Sequence, residues 1–155
     1  MAKVAILMGS ASDKAIVERA VPVLEYFEIE WEMKVLSAHR NSAQVVEYVE
    51  GLVDRGFSAV IAAAGMANHL AGTVAARTRL PVIGVPLPGG LMDGLDSLLS
   101  TVQMPGGVPV ATVAVGKAGA TNAAVLVARM LAVTDPGIAK KHDAFAANGF
   151  KLPEA

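Results

Sequence analysis

A histidine and an arginine stand side by side directly after a short apolar run, at His39 and Arg40. Imidazole exchanges protons near neutral pH more readily than any other side chain. A guanidinium group is permanently charged and binds phosphate or carboxylate through a rigid fork of donors. A second histidine, His69, follows another apolar run. These residue types predict proton transfer on a small phosphorylated ligand; the alternative is an exposed His–Arg pair in a connecting loop.

Hydroxyl and carboxylate groups follow the first apolar run, in the segment Gly9-Ser10-Ala11-Ser12-Asp13. Glycine lets the backbone approach a ligand, and the free N–H groups of a helix start favour a phosphate. Asp13 could accept hydrogen bonds from sugar hydroxyl groups; the alternative is that Ser12 or Asp13 only caps the helix. The GxGxxG and GxxxxGK(S/T) patterns are absent, which argues against dinucleotide and P-loop nucleotide sites.

The segment from Gly65 to Gly72 follows the third apolar run and consists mostly of small residues. His69 falls in the first turn of a predicted helix, where the helix dipole disfavours imidazolium, so we expect a neutral hydrogen-bond partner. The alternative is that Asn68 caps this helix and His69 packs as an ordinary helical residue. Lys117 near a later helix start could be a ligand contact or a solvated charge, and we expect His142 at the surface.

The elements that position these residues follow from hydrophobic periodicity. The predicted strands are Val4 to Met8, Trp31 to Leu36, Ala59 to Ala64, Val82 to Val85 and Val110 to Val115. The predicted helices are Ile16 to Phe27, Ser42 to Asp54, Asn68 to Thr78, Asp93 to Thr101, Thr121 to Val133 and a C-terminal helix from about residue 135. This alternation predicts a three-layer α/β/α sandwich with a five-stranded parallel sheet, flavodoxin-like or Rossmann-like. Ligands bind such sheets beyond the carboxyl ends of the strands, which is where the candidate residues fall.

Composition narrows the class of protein. The 155 residues are expected to form one domain, and they are 54% hydrophobic and 17% charged. This apolar excess indicates burial between subunits, with residues 91–104 and the Ala/Val-rich face of helix 121–133 as candidate interfaces. The net charge of −1 gives no reason to expect nucleic acid or an anionic membrane as a partner.

Several kinds of chemistry are excluded or disfavoured by residues that the chain lacks. It contains no cysteine, which rules out disulfides, thiolate nucleophiles and cysteine-bound metals. No carboxylate cluster suggests a metal, and no Gly-x-Ser-x-Gly motif suggests acyl transfer. There is neither a signal-like start nor an apolar run long enough for a membrane span, so we expect a cytoplasmic protein.

Four longer motifs together resemble one family closely. They are MGSASD, SAHR, AGMANHLAG and DSLLSTVQMPGGVPVATVAVGKAGATNAA. The chain from about Val4 to Leu131 resembles the class I N5-carboxyaminoimidazole ribonucleotide mutases of bacterial purine synthesis. Arg40 is typical of these mutases, because the related carboxylases that use free carbon dioxide typically carry lysine there.

The resemblance implies a reaction and a set of roles. A carboxylate moves from the exocyclic nitrogen of an aminoimidazole ribonucleotide to ring carbon four, without ATP, biotin, metal or other cofactor, in a homo-oligomer that is an octamer. We expect decarboxylation and then recarboxylation, with carbon dioxide held under the loop from Gly65 to Ala67. By matching motifs, His39 would be the general acid and base and Arg40 would bind the phosphate. The other substrate-binding residues would be Ser10, Asp13, Ser37, Gly65, His69 and Leu70.

The chain departs from the family pattern at a few positions. Where the family usually reads Gly-Gly-Ala-Ala-His-Leu-Pro-Gly, this chain has Met66, Asn68 and Ala71. Asn41 replaces a threonine, and we expect it to cap the following helix in the same way. Two alternatives remain: a carboxylase of aminoimidazole ribonucleotide or of another heterocycle, and a non-catalytic nucleotide- or flavin-binding flavodoxin-like module. The single tryptophan, Trp31, begins a strand, a poor position for stacking on a flavin.

Overall fold

The computed structural model of the protein describes residues 2–153. Within them, the strands are β1 (Lys3–Met8), β2 (Glu30–Val35), β3 (Ala59–Ala64), β4 (Val82–Pro86) and β5 (Ala111–Thr112). They form one parallel sheet in the order β2-β1-β3-β4-β5. The α-helices are α1 (Lys14–Val17), α2 (Val21–Tyr26), α3 (Ser42–Glu50), α4 (His69–Ala75), α5 (Leu95–Val102), α6 (Gly116–Ala132) and α7 (Pro136–Ala147). Short 3-10 turns cover Ala11–Asp13, Glu18–Ala20 and Leu91–Asp93.

The core lies on both faces of the sheet, because successive strand residues point to opposite faces. Val4, Ile6 and Met8 of β1 are buried in one hydrophobic cluster, together with residues of α2, α6 and α7. Ala5 and Leu7 of the same strand belong to the other cluster, with residues of α3 and α4. Helices therefore cover both faces of a parallel sheet, and the predicted three-layer sandwich is confirmed.

The first predicted helix is interrupted. Instead of one helix over 16–27, the structure has α1, the 3-10 turn Glu18–Ala20 and then α2. Pro22 lies at the start of α2 and has no N–H group with which to continue the α-helical hydrogen bonds of α1. The chain therefore tightens into a 3-10 turn just before the proline.

The fifth strand and the helix after it also differ from expectation. β5 is only two residues long, and α6 begins five residues earlier than predicted, at Gly116 rather than Thr121. Gly116 and Gly119 each carry an intrinsic helix penalty, so local preference disfavours the early start. Packing determines the outcome, because a side chain at position 119 would collide with the carbonyl oxygen of Ala114.

The Ala/Val-rich face of α6 is not a free surface, which corrects its assignment as a subunit interface. Ala123, Ala124, Val127 and Ala128 on this helix are at most 1% exposed and pack in the core of this chain. Small side chains here bring the helix close to the sheet. No helix within residues 2–153 has both the length and the apolar character needed to cross a membrane.

Candidate functional site

A cleft of about 510 Å³ lies beyond the carboxyl ends of β1 to β4. The strand order reverses between β1 and β3, since the chain passes outward from β1 to β2 and then returns to the other side of β1. Such a reversal opens a crevice between loops that lead in opposite directions. The predicted site residues that line the cleft are Ser10, Asp13, Ser37, His39, Arg40, Gly65 and Leu70.

The loop after β1 folds back on itself. The Ser10 hydroxyl accepts a hydrogen bond from the Ser12 amide at 3.4 Å, and the Ser10 amide donates to Asp13 Oδ2 at 3.0 Å. Together these bonds form a capping box at the start of the helical segment. The structure thus gives Ser10 and Asp13 a capping role, and both residues also line the cleft.

Asp13 is the cleft residue whose titration the fold perturbs most clearly. Burial raises the pKa of Asp13 above its usual 3.8, although hydrogen bonds from the Ser10 amide and the Ser12 hydroxyl act in the opposite direction. A raised pKa means that the fold disfavours the carboxylate form. Holding this group ionised beside the cleft therefore costs stability at neutral pH.

The loop after β2 presents His39 and Arg40 at the tip of a tight turn. The Asn41 side-chain oxygen accepts a hydrogen bond from the Ser37 amide at 2.6 Å, and the Ser37 hydroxyl accepts one from the Arg40 amide at 3.3 Å. Asn41 occupies the N-cap position of α3 but makes no side-chain capping bond. The expectation that Asn41 caps α3 is therefore wrong, because its side chain closes the turn that displays the two candidate residues.

His39 of the cleft contacts His69, the first residue of α4, which is not itself among the residues that line the cleft. His39 Nε2 and His69 Nδ1 are 2.7 Å apart, and the two ring planes are nearly perpendicular at 82°. Both side chains are exposed. A hydrogen bond of this kind needs one nitrogen with a proton and one without, so at least one ring in the pair is neutral. His69 is thus a hydrogen-bond partner of His39, and its expected contact with a ligand stays a prediction.

The Arg40 guanidinium also lines the cleft, and it has no side-chain partner among residues 2–153. Within residues 2–153, Arg40 donates a hydrogen bond through its backbone amide, to Ser37. Its guanidinium forms no salt bridge with an acidic side chain of these residues. A guanidinium has five donors in a fixed fork. Those donors face solvent and the cleft, where an anionic ligand could accept their hydrogen bonds.

The loop after β3 forms the floor of the cleft, and its two unusual residues behave differently. Met66 lies in the left-handed region, at φ +55°, and its side chain is 69% exposed at the cleft. Asn68 is fully buried and turns away from the cleft, donating to Thr101 Oγ1 at 2.8 Å. It makes no side-chain cap for α4, which removes the capping alternative for this residue.

Helix α5 makes hydrogen bonds to two of the cleft loops, those after β3 and β4. The Ser97 hydroxyl donates to the carbonyl of Leu87 at 2.7 Å, just before the cleft residues Pro88 and Gly89. The Ser100 hydroxyl accepts a hydrogen bond from the Asn68 amide at 2.9 Å. Sequence reasoning did not assign these contacts, although Pro88 and Gly89 could have been included because they follow β4 at the same edge of the sheet.

Lys117, the other candidate from the sequence, lies outside the cleft, as do Asn122 and His142. Asn122 donates to the carbonyl of Val113 at 3.3 Å, and Lys117 is exposed on the first turn of α6. His142 is half-buried rather than a free surface residue, because its Nε2 accepts a hydrogen bond from Arg129 at 2.9 Å. Across residues 2–153, no group of three His, Asp or Glu side chains is arranged as a metal site.

The fold and the cleft first define a class. A parallel sheet of order 2-1-3-4-5, covered by helices on both faces and carrying its polar cleft at the strand reversal, is typical of the flavodoxin-like α/β proteins. Residues 3–150 match the model of the AIR carboxylase family, and the chain belongs to that family.

Individual relatives agree with this assignment. The N5-carboxyaminoimidazole ribonucleotide mutase of Bacillus subtilis is 50% identical over 140 residues, which is 90% of this chain and 86% of that protein. The mutase of the same name from Pyrococcus abyssi is 50% identical over 141 residues, 91% of this chain and 80% of that protein. The crystal structure of Treponema denticola PurE superposes with a TM-score of 0.86 at 32% identity, covering 96% of this chain and 92% of that one.

Proposed function

We propose that this protein converts N5-carboxyaminoimidazole ribonucleotide to 4-carboxy-5-aminoimidazole ribonucleotide in purine biosynthesis, as an intramolecular carboxyl-transfer mutase. The relatives at about half identity carry this activity in their names. The structural observation that carries the proposal is the convergence of His39, Arg40, Ser10 and Asp13 on one cleft, with His69 hydrogen-bonded to His39.

Binding of the ribonucleotide would use the charged and polar rim of the cleft. Arg40 has donors that no side chain of the described residues occupies, so its fork is available to the phosphate. Ser10 and Asp13 lie on the neighbouring loop, where their oxygens can bind the phosphoribosyl group. Ser37, Gly65 and Leu70 also line the cleft, where they would surround the heterocycle.

The first half-reaction needs an acid. His39 donates a proton to the exocyclic nitrogen as the bond from that nitrogen to the carboxylate carbon breaks. The electron pair of that bond stays on nitrogen, which leaves the free amine and carbon dioxide. Such proton transfer by a positioned side chain accelerates a reaction by roughly 100- to 10,000-fold.

The second half-reaction needs a base at the same place. Carbon four of the electron-rich ring attacks carbon dioxide and forms the new carbon–carbon bond. His39, now without its proton, removes the hydrogen from carbon four, so the ring regains aromaticity and the histidine regains its proton. The contact from His39 Nε2 to His69 Nδ1 gives the imidazole a partner that can accept or donate as His39 changes state.

The direct test supplies the purified protein, without ATP, either with the carbamate or with aminoimidazole ribonucleotide and bicarbonate. We expect the carbamate to be converted to the carbon-four carboxylate, and the absorbance of the product measures this conversion. A matched pair of variants, His39→Asn in the cleft and His142→Asn outside it, separates a site effect from the loss of any histidine. Failure of the wild-type protein to convert the carbamate would overturn the proposal.

A second candidate is carboxylation of aminoimidazole ribonucleotide with free carbon dioxide, because the matching family is described as AIR carboxylase. The same assay distinguishes the two reactions. Turnover of aminoimidazole ribonucleotide with bicarbonate, at a rate above that of the carbamate, would favour this second reaction.

We further propose that the protein works in the cytoplasm as a homo-oligomer, an octamer. Large apolar side chains of the segment 91–104 are exposed, namely Leu91 at 70%, Met92 at 76%, Leu99 at 54% and Val102 at 47%. Contiguous exposed apolar patches are typical of interaction surfaces. Sedimentation of wild type and Leu99→Asp tests the assembly; a wild-type protein that sediments as a monomer would contradict it.

A further inference from the structure

Met66 holds a backbone conformation that its side chain disfavours. Its φ of +55° lies in the left-handed region, where the Cβ atom of an L-residue crowds the following carbonyl oxygen. Residues held in this way cluster at functional sites, where the surrounding structure imposes the conformation.

Hydrogen bonds on the far side of the loop hold the backbone just after Met66 against α5. Two residues along the chain, the Asn68 backbone amide donates a hydrogen bond to the Ser100 hydroxyl at 2.9 Å. The single hydrogen of that hydroxyl has the carbonyl of Asp96 as its nearest acceptor, at 2.8 Å, and the Met66 carbonyl lies further away, at 3.4 Å. Asn68 is fully buried and is fixed by Thr101 on the same helix. The backbone around position 66 is thus tied to α5, and the side chain points out into the cleft.

Little packing among residues 2–153 offsets this unfavourable conformation. The Met66 side chain is 69% exposed and belongs to neither hydrophobic cluster of the core. It lines the cleft together with the polar groups of His39 and Arg40. A large apolar side chain held there, without a partner among the described residues, is available to a ligand in the cleft.

We propose that Met66 determines how well the cleft retains carbon dioxide, by covering the bound heterocycle between the two half-reactions. This inference rests on the proposed mutase function. A flexible thioether makes favourable contacts with aromatic rings and adapts to their shape. Such a cover excludes water from the apolar floor and keeps the released carbon dioxide beside carbon four, where confinement raises its effective concentration.

The variant Met66→Ala is the sharpest test. Alanine keeps a Cβ atom on the same left-handed backbone and removes only the thioether chain. Met66→Leu is the matched control, since it restores an apolar side chain of similar volume. Both variants are compared with wild type by thermal unfolding and by sedimentation, so that a change in folding or assembly is seen directly.

Retention is measured in single turnovers. Enzyme in excess is mixed with carbamate substrate that carries ¹³C in its carboxylate, in buffer with unlabelled bicarbonate, and a blank without enzyme corrects for spontaneous decay. We expect wild type to keep most of the label in the product. Met66→Ala should raise the loss of label, and the release of aminoimidazole ribonucleotide, by about five-fold, and Met66→Leu should restore most of the retention.

The outcomes separate this inference from the proposed function. A wild-type protein that forms no product from the carbamate fails the proposed function itself. Wild-type turnover with equal label retention in Met66→Ala would overturn the role of Met66 alone. A change in sedimentation with unchanged retention would also overturn it, because Met66 would then serve contact between copies of the chain.

Discussion

Two arginines in different regions of the molecule have opposite environments. At the sheet edge, Arg55 Nη2 lies 2.8 Å from Glu32 Oε2, and its guanidinium stacks over the rings of Tyr48 and Phe57. At the cleft, the Arg40 guanidinium has no such partner within residues 2–153. The edge cluster of Glu32, Arg55 and Tyr48 pairs its own charges, whereas the charge of Arg40 in the cleft is available to an anionic ligand.

The carboxylates of the two regions also differ, in the direction in which the fold shifts their pKa values. Burial alone would raise the pKa of Glu32, but hydrogen bonds from Arg55 and Tyr48 outweigh it and lower the pKa to about 2. Burial and the hydrogen bond to Glu32 raise the pKa of Tyr48 well above its usual range. Asp13 in the cleft shows a raised pKa instead. The edge thus stabilises its carboxylate, and the cleft retains one at a cost in stability, as expected of a functional site.

The largest effect should follow a change at the cleft. His39→Asn removes the group that transfers protons, so we expect kcat to fall by roughly 100- to 10,000-fold. Thermal stability should stay close to wild type, because the side chain is exposed. Steady-state kinetics and thermal unfolding of the same preparation check both statements. Substantial remaining turnover would remove His39 from the role of acid and base.

The two arginines give a matched test of the contrast. Arg40→Lys keeps the charge and loses the fork, so we expect KM to rise about tenfold while the melting temperature is unchanged. Arg55→Lys should have the reverse effect. The melting temperature should fall because the hydrogen bonds from Arg55 to Glu32 are lost, and KM should stay unchanged because Arg55 lies outside the cleft. Equal effects of both variants on KM would contradict the assignment of phosphate binding to Arg40.

A smaller effect is expected from Glu32→Gln at the edge cluster, a loss of about 1 kcal/mol of unfolding free energy at pH 7. The pKa of Glu32 is lowered on folding, from 4.5 to about 2, so its contribution is present above pH 4.5 and is lost as the pH falls toward 2. Denaturant unfolding across this range should show wild type and variant converging in acid. A constant difference would mean that the charge of Glu32 is not the cause.

The smallest effect should follow Met66→Gly. Glycine adopts the left-handed conformation without a Cβ clash, so the substitution removes about 1–2 kcal/mol of strain. The greater freedom of glycine in the unfolded chain offsets about 0.4–1 kcal/mol of this gain. We therefore expect a net gain of about 0.5–1 kcal/mol in unfolding free energy, measured by denaturant titration. A loss of stability would show that the methionine side chain packs favourably in this chain.

The fold was largely predictable because short apolar runs and helical spacing alternate along the chain. Four strands lie within one or two residues of their predicted positions. The errors arise where packing overrides local preference. Gly119 lies within α6 because only glycine fits beside the carbonyl of Ala114, and Pro22 breaks a helix whose apolar spacing continues through it.

The site was predictable in its location and not in its contacts. Parallel strands end at one edge, so the residues that follow them must converge, and the cleft includes predicted residues that follow each of the first three strands, although not His69. The contact between His39 and His69 joins residues 30 positions apart and depends on how the loop after β2 faces the start of α4. Likewise, Asn68 turns inward because Thr101 of a distant helix accepts its hydrogen bond.

The two outer strands of the sheet limit how copies of the chain can associate. β2 carries Glu30, Glu32 and Lys34 on one margin, and β5 on the other margin has only two residues. Charged residues and very short strands prevent a further strand from joining a sheet by backbone pairing. If copies assemble as proposed, we expect them to do so through helix and loop faces, so that the sheet of each subunit stays five strands wide.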